Sequence, residues 1–498
     1  MADEKVEKGI VLNKIIDNSN KVVGPVLLQQ DHPNLEKISS GEYGIFQPGG
    51  NNLIDKIVKV ISHTEQFLCV SSFLIQDSSI IDEIRKCYER GVRVYMLTAA
   101  ETQLSNPNEE DDSPLEKRKS NFRDMLKKLS SHALIHTGDD LHAKFIISDP
   151  KTNPEAIVFT SNLTVRALTE NIELAIELSG KFEVEELFRQ FLYGFWKAAK
   201  RELNSSNNEL SAVNQHPEFV DLAFRPQRIK WTLGNQLLIK DLLGKMIETA
   251  ESSISISAWT IDIGHPIAMQ LIKKASEGVK VVLFTRPHNA NKEFMTTLIK
   301  NGGTVYCHKL LHAKSMIVDG KQGLIMTANI SKLGLDEGFE TAVILGHDQI
   351  NVLNKIHNEW KYRCEYRSEK TTILGDIKVP WINITENFEQ LAKPEAKNID
   401  LGGVTAKKLR DYFDGKIENY IPDKNQKNVI DKQINYTINL LPPRLPTQIA
   451  NQKIEEKNDL KIYTINNEKY ICVKNREHMS NAEDLSKKIN AKIVLCDK

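Results

Sequence analysis

Residues 141–149 read LHAKFIISD, and residues 311–319 read LHAKSMIVD. The two stretches share their first four residues and their last, and each sets a His and a Lys two positions apart ahead of an apolar run. Residues two apart in an extended chain point to the same side. His142 with Lys144, and His312 with Lys314, are therefore expected to face one cavity. FIIS and SMIV continue as buried strands, with Asp149 and Asp319 at their ends.

The agreement extends in both directions. Upstream, GNNLIDKIVKVISHTEQFLCVSSFLI from Gly50 and GNQLLIKDLLGKMIETAESSISISAWTI from Gly234 each give an apolar-periodic helix and then a short β-type run. A second helix follows in each copy. It stops at Gly91 or Gly278, the residue type that best closes a helix, and leads into a buried strand, VRVYMLT or VKVVLFT. Downstream, VFTSNLT carries Thr160 and Asn162, and IMTANIS carries Thr327 and Asn329. Eleven residues beyond each Asn stands a lone carboxylate entering an apolar strand, Glu173 and Glu340.

Strands alternating with helices, twice over, predict an α/β fold of two pseudo-symmetric sandwich halves. The first half, with an N-terminal extension, is expected at residues 1–226 and the second at 227–372, with LNSSNNELSAVNQHPEF (203–219) as the join. The halves differ in length: Gly91 to His142 is 51 residues, but Gly278 to His312 is 34. The surplus lies around ETQLSNPNEEDDSPLEKRKSNFR (101–123), which reads as a solvated loop running into a helix. Residues 373–498 read as a small α+β accessory domain offering a surface to partner proteins. It comprises LLPPRLP (440–446) as a turn or extended segment, a hairpin about Asn466-Asn467, a helix from Ala482 to Asn490 and the strand AKIVLC.

Composition narrows the function. The 66 basic residues cancel the 66 acidic ones. Binding of nucleic acid or anionic lipid by bulk charge is thereby excluded, and only local patches remain: Lys117 to Arg123; Arg286, His288 and Lys292; Arg363 and Arg367. No apolar run approaches the roughly 18 residues of a membrane span. The start, MADEKVEKGIVLNK, lacks a signal-peptide core. A cytoplasmic protein without stable membrane insertion is expected. The six cysteines form no C-x-x-C pair and read as reduced, buried thiols. The five tryptophans are spread along the chain and read as core.

Two His, two Lys, two Thr and two Asn converging would make a cationic, donor-rich pocket that suits a phosphate. The repeated signatures hold no carboxylate cluster suited to magnesium and no His/Cys set suited to zinc. The expected reaction therefore uses no metal and no cofactor. Imidazole can be nucleophile or acid near neutral pH, and two of them permit a two-step displacement through a phospho-histidine. Glu173 and Glu340 are suited to hold an imidazole Nδ1–H.

These residues resemble the phospholipase D superfamily, the HKD phosphodiesterases, over about residues 50–370 and in both motifs. The resemblance implies two halves meeting at one site, a phosphodiester substrate and a covalent phospho-histidine. It implies catalytic roles for His142, His312, Lys144, Lys314, Asp149, Asp319, Glu173 and Glu340. It implies phosphate contacts from Lys144, Lys314, Thr160, Asn162, Thr327 and Asn329, with His142 as nucleophile by family habit. The usual Gly-Ser-x-Asn stands here as Phe159-Thr160-Ser161-Asn162 and Met326-Thr327-Ala328-Asn329, which keeps a hydroxyl and replaces the Gly. Thr-x-Asn-Leu-Thr followed by Asn-x-Glu is similar to bacterial HKD nucleases of restriction and defence type. DNA or RNA is thus the expected substrate. The alternative is a phospholipase D or phosphatidyltransferase acting on phospholipid headgroups, for which the sequence offers neither a span nor a strong interfacial helix.

Overall fold

The computed structural model describes residues 52–99, 115–204, 209–213 and 227–373. It also describes stretches at 12–13, 22–31, 40–49, 376, 379 and 381–384, and 454–457, 460–465, 468–473 and 479–495 near the C-terminus. Each half is built on six strands. The first sheet holds β1 (Phe67–Ser71), β2 (Arg93–Ala99), β3 (Leu134–Gly138), β4 (Phe145–Ser148), β5 (Glu155–Phe159) and β6 (Ala175–Leu178). Their spatial order is β3-β2-β1-β4-β5-β6; β1, β2 and β3 run parallel, and the remaining neighbours are antiparallel. The second sheet holds β7 (Ser253–Ser257), β8 (Lys280–Thr285), β9 (Thr304–Cys307), β10 (Ser315–Val318), β11 (Gln322–Met326) and β12 (Glu340–Ile344). It repeats the order and the directions.

Helices cover the outer faces, α1 (Asn52–His63), α2 (Ser78–Glu89) and α3 (Leu115–Leu129) on the first sheet and α5 (Leu238–Glu248), α6 (Pro266–Ser276) and α7 (Lys292–Lys300) on the second. The reason is periodicity. In α1, Leu53, Ile57, Val60 and Ile61 fall on one stripe and are buried. In β1, Leu68 and Val70 face this outer core while Phe67 and Cys69 face the other way. Capping fixes the starts: the Asp77 carboxylate accepts the amides of Ser79 and Ile80 at 2.9 and 3.1 Å. The inner faces of the two sheets share a single central core. Helices α4 (Lys181–Tyr193) and α8 (His347–Arg363) supply much of it, with Phe188, Phe191, Ile356 and Trp360 packed in the same cluster as Phe145 and Phe284.

The margins of the halves depart from the expected divisions. Part of the expected join is a hairpin, Arg201–Asn204 with Glu209–Ala212, added to the edge of β3. Strand Val26–Gln29, read with the first half, hydrogen-bonds into the second sheet between Tyr366–Glu369 and Trp381–Asn383. The last of these lies beyond the boundary at 372. The C-terminal region is α+β as expected. Its hairpin closes with Ile465 opposite Glu468, a helix spans Met479–Ile489, and Ala491–Leu495 pairs parallel to Glu468–Val473. The segments LLPPRLP and 101–114, and the side chains of Lys117 to Lys119, lie outside the described residues.

Asp149 and Asp319 end β4 and β10 in the left-handed region, at φ 42° and 52°, which Asp tolerates better than most residues. The Asp149 carboxylate accepts the amides of Glu65, Gln66 and Phe67 at 2.8, 2.9 and 2.8 Å. Asp319 accepts those of Glu251, Ser252 and Ser253 at 2.9, 2.8 and 2.7 Å, and the Ser252 hydroxyl at 2.7 Å. Each carboxylate thus fastens a helix-to-strand turn at the end of the strand opposite its His-x-Lys. The catalytic assignment of this pair is corrected accordingly: their oxygens are consumed by backbone amides away from the pocket.

Asp149→Ala should therefore cost about 2–4 kcal/mol of stability in urea unfolding; a cost below 1 kcal/mol would contradict the fastening role. Burial alone would raise the Asp319 carboxyl, but the amides of Glu251, Ser253 and Ser252 and the Ser252 hydroxyl hold it below its ordinary 3.8. A depressed folded value stabilises above the unfolded value and is lost as pH falls through the folded one. Asp319→Asn should flatten the acid limb of stability below about pH 4, measured by unfolding at successive pH values.

Candidate functional site

In each sheet the parallel and antiparallel strands part company at the central strand, β1 or β7. Crevices at the carboxyl ends of strands beside such a switch point are the usual ligand sites of open α/β sheets. The His-x-Lys segments run extended into this crevice just before β4 and β10. Backbone bonds then join the halves. His142 N donates to Phe339 O at 3.1 Å and Phe339 N to Asp140 O at 2.7 Å. Reciprocally, Ile172 N donates to Leu310 O at 2.8 Å, while His312 N and Ala313 N donate to Ile172 O at 3.0 and 2.8 Å. Each His is thereby held in register with the Glu of the opposite half.

The side chains complete the exchange. His312 Nδ1 donates to Glu173 Oε1 at 2.7 Å, and His142 Nδ1 to Glu340 Oε1 at 2.7 Å. A carboxylate at Nδ1 fixes the tautomer and leaves Nε2 as the chemically active nitrogen. The other oxygen of each Glu is taken by the Thr of its own half, Thr160 to Glu173 Oε2 at 2.5 Å and Thr327 to Glu340 Oε2. These hydroxyls also accept the amides of Leu174 and Thr341, at 2.9 and 3.0 Å. Thr160 and Thr327 were expected to contact phosphate. That is corrected here, because the single hydroxyl proton of each is already given to a carboxylate.

The charged groups are deeply buried: Lys144, Lys314, Glu173 and His312 are 0% exposed, and His142 is 8% exposed. Lys144 Nζ donates to His142 O at 2.7 Å and lies 5.9 Å from the Phe73 ring centroid. Lys314 Nζ lies 3.1 Å from both ring nitrogens of His312. Burial pushes the Glu173 carboxyl up; Lys314, Thr160, Asn171 and Lys144 pull it back only in part, so it stays raised. Lysines from both halves act on this one carboxylate, so the two signatures share one pocket. Asn162 and Asn329 are buried, each two residues beyond the Thr that holds its half's Glu. Among the described residues, Ser161 Oγ, Asn329 Oδ1 and Trp259 Nε1 are buried without a protein hydrogen-bond partner. No group of three or more His, Cys, Asp or Glu among those residues is arranged around a metal position.

Three site residues escaped the sequence. Gln190 on α4 is fully buried; its amide donates to Glu340 O at 2.8 Å and accepts from the Thr341 hydroxyl at 2.8 Å. Its signal was a polar residue inside the apolar stripe VEELFRQFLY. Phe73 and Trp259 each stand two residues beyond the central strand. Their ring centroids lie 5.4 Å from His142 and 5.5 Å from His312. Trp259 was read as core, and its place in FLCVSSF and SISISAW was the available sign. Of the basic candidates, His288 reaches the site, 6.3 Å from Trp259, with Arg286 beside it. Arg123 and Arg367 lie exposed on α3 and on strand Tyr366–Glu369.

Two half-sites completing one another in this way define a class: the chain belongs to the phospholipase D superfamily. The family described as cardiolipin synthase, PLD-like domain, matches residues 57–196 and 243–362, one span in each half. A cardiolipin synthase of Oceanobacillus iheyensis is 27% identical over 165 residues, 31% of this chain and 34% of that protein. The chain thus spans about a third of the length of that relative. The DISARM protein DrmC of Bacillus paralicheniformis is 22% identical over 193 residues, 36% of this chain and 74% of that protein. The solved phosphatidylserine synthase of Haemophilus influenzae shares the fold, at TM-score 0.50 and 11% identity, over 71% of this chain and 91% of that one.

Gln190→Leu removes the bonds to Glu340 O and to the Thr341 hydroxyl and leaves both of these buried groups without that partner. Chemical denaturation should register a loss of about 2–4 kcal/mol; a loss under 0.5 kcal/mol would show that the brace is not formed.

Proposed function

We propose that this protein cleaves phosphodiesters without a metal ion through a phospho-histidine, and that its substrate is nucleic acid. The observation that carries the chemistry is the pair of crossed His–Glu bonds at 2.7 Å. With both imidazoles neutral, two ammonium groups and two carboxylates balance. A bound diester adds one negative charge, which a single proton on one His neutralises. Binding therefore favours the state the reaction needs, one imidazole neutral and the other charged.

His142 Nε2 attacks phosphorus while the P–O bond to the leaving alcohol breaks, and His312 gives its Nε2 proton to that oxygen. Water then loses a proton to His312 and attacks phosphorus, and the P–N bond breaks to restore His142. Lys144, Lys314, Asn162 and Asn329 hold the phosphoryl oxygens, and each Glu steadies the positive charge on its imidazole. The nucleophile is assigned to His142, the copy to which the resemblance gives that role, since each Glu is seated by two further residues, Thr327 and Gln190 on Glu340 and Thr160 and Asn171 on Glu173.

Three observations support nucleic acid. No helix among the described residues is long and apolar enough to cross a membrane. Four of their six large exposed apolar side chains, Val22, Tyr43, Phe182 and Tyr362, lie on elements other than those that follow the two Thr-x-Asn stretches. The loops leading to His312 carry Arg286, His288 and Lys309. A second reading, phosphatidyl-group transfer, is favoured by the 27% identity to a cardiolipin synthase and by the exposure of Val165 and Leu333 just beyond the two Thr-x-Asn stretches.

The test is a substrate panel in EDTA: single- and double-stranded DNA, RNA, and phosphatidylcholine vesicles. Turnover of nucleic acid is expected. Combined His142→Ala and His312→Ala replacement should lower it by about 10³-fold or more. His312→Asn should trap phosphorus on His142, visible by mass spectrometry of the peptide. A requirement for magnesium, or survival of activity in the double variant, would overturn the mechanism. Turnover of vesicles alone would establish the second reading, and trapping on His312 in a His142→Asn variant alone would reverse the roles.

A further inference from the structure

Phe73 and Trp259 hold equivalent places in the two halves, yet they are the chemically unequal pair beside the imidazoles. Most other groups of the pocket are matched, His with His, Lys with Lys, Asn with Asn and Glu with Glu. The two non-bridging oxygens of a phosphodiester are equivalent and suit matched groups. Its two ester arms differ. A side chain that breaks the symmetry next to an imidazole is thus placed to read an arm, not the phosphate.

Trp259 adds one thing that Phe73 lacks, an N–H. The residue is 7% exposed, and its Nε1 has no acceptor among the described residues. A buried donor left unpaired costs stability and calls for an explanation such as a ligand that supplies the acceptor. The ring is also held in place. Fully buried Asn291 donates to Trp259 O at 2.8 Å and Thr285 Oγ1 at 2.9 Å, and accepts from Ile261 N at 3.0 Å. The Thr285 hydroxyl in turn donates to Ala258 O at 2.8 Å. The indole therefore stands against His312 on a braced loop, with its donor uncommitted.

We propose that the Trp259 indole N–H donates to an oxygen of the ester arm beside His312, which makes Trp259 a specificity-determining residue for leaving groups rich in oxygen. A sugar or a glyceryl group offers such an acceptor near the scissile bond; an aryl group does not. The proposal rests on the phosphodiesterase reading above, in which the arm beside His312 departs.

Two pairs of diesters separate the questions. The first is thymidylyl-(3′→5′)-thymidine and the p-nitrophenyl ester of thymidine 5′-phosphate. The second is phosphatidylglycerol and phosphatidyl-p-nitrophenol, both in vesicles. Within each pair only the leaving group changes. Trp259→Phe, which installs the residue of the other half, should lower kcat/KM about tenfold on the oxygen-rich member and less than about twofold on its aryl partner. Where Trp259→Phe fails to fold, β-(3-benzothienyl)alanine at position 259 removes the N–H and keeps the shape, with the same expectation. Equal loss on both members, or loss on neither, overturns the proposal. Selective loss in the lipid pair alone upholds it and refutes nucleic acid as substrate. Absence of wild-type turnover in both pairs overturns it together with the catalytic reading.

Discussion

The pocket depends on two hydrogen bonds that cross the molecule, Glu173 to His312 and Glu340 to His142, each 2.7 Å long. Neither half contains a complete set. A half alone would bury a carboxylate whose imidazole is elsewhere, and an isolated buried charge is costly. The large apolar core shared between the sheets has the same origin, since it presses together the two edges that must exchange partners. Backbone bonds between residues 140–142 and 339, and between 172 and 310–313, set the register in which the exchange occurs.

Symmetry also explains why so much charge survives burial. Two lysines and two glutamates compensate one another, and each group has several polar neighbours. Glu173 is approached by His312, Thr160 and Asn171. Such networks are stabilising only when nearly complete. The hydroxyls of Thr160 and Thr327 complete them, a task that an apolar side chain of the same shape could not perform.

The repeat was legible because two copies at matching positions reinforce one another, and the spacing picked out the three ionisable pairs that the structure brings together, His142 and His312, Lys144 and Lys314, and Glu173 and Glu340. It could not say which Glu serves which His, because spacing within a half is blind to exchange between halves. Asp149 and Asp319 misled for a related reason. Their constant distance from the Lys measures the length of a four-residue strand and the turn it must fasten, and a catalytic group would give the same pattern. Gln190 and Trp259 were hidden because each lies far along the chain from the residue it serves, in an apolar context that reads as core. Val26–Gln29 was assigned to the nearer half in sequence, whereas hydrogen bonding carries it into the farther sheet.

That early strand has a mechanical consequence. Val26–Gln29 is an interior member of the second sheet, whereas Ile45–Phe46, fewer than twenty residues later, borders the first. The polypeptide thus passes between the halves twice, once before the first half and once after it. A single cut between residues 213 and 227 would leave two fragments still threaded through one another by this clasp. The halves are bound like a book stitched at both edges of its spine, so a parting of the two sheets would strain two chain crossings, whereas a local shift of side chains and loops at the crevice would strain neither.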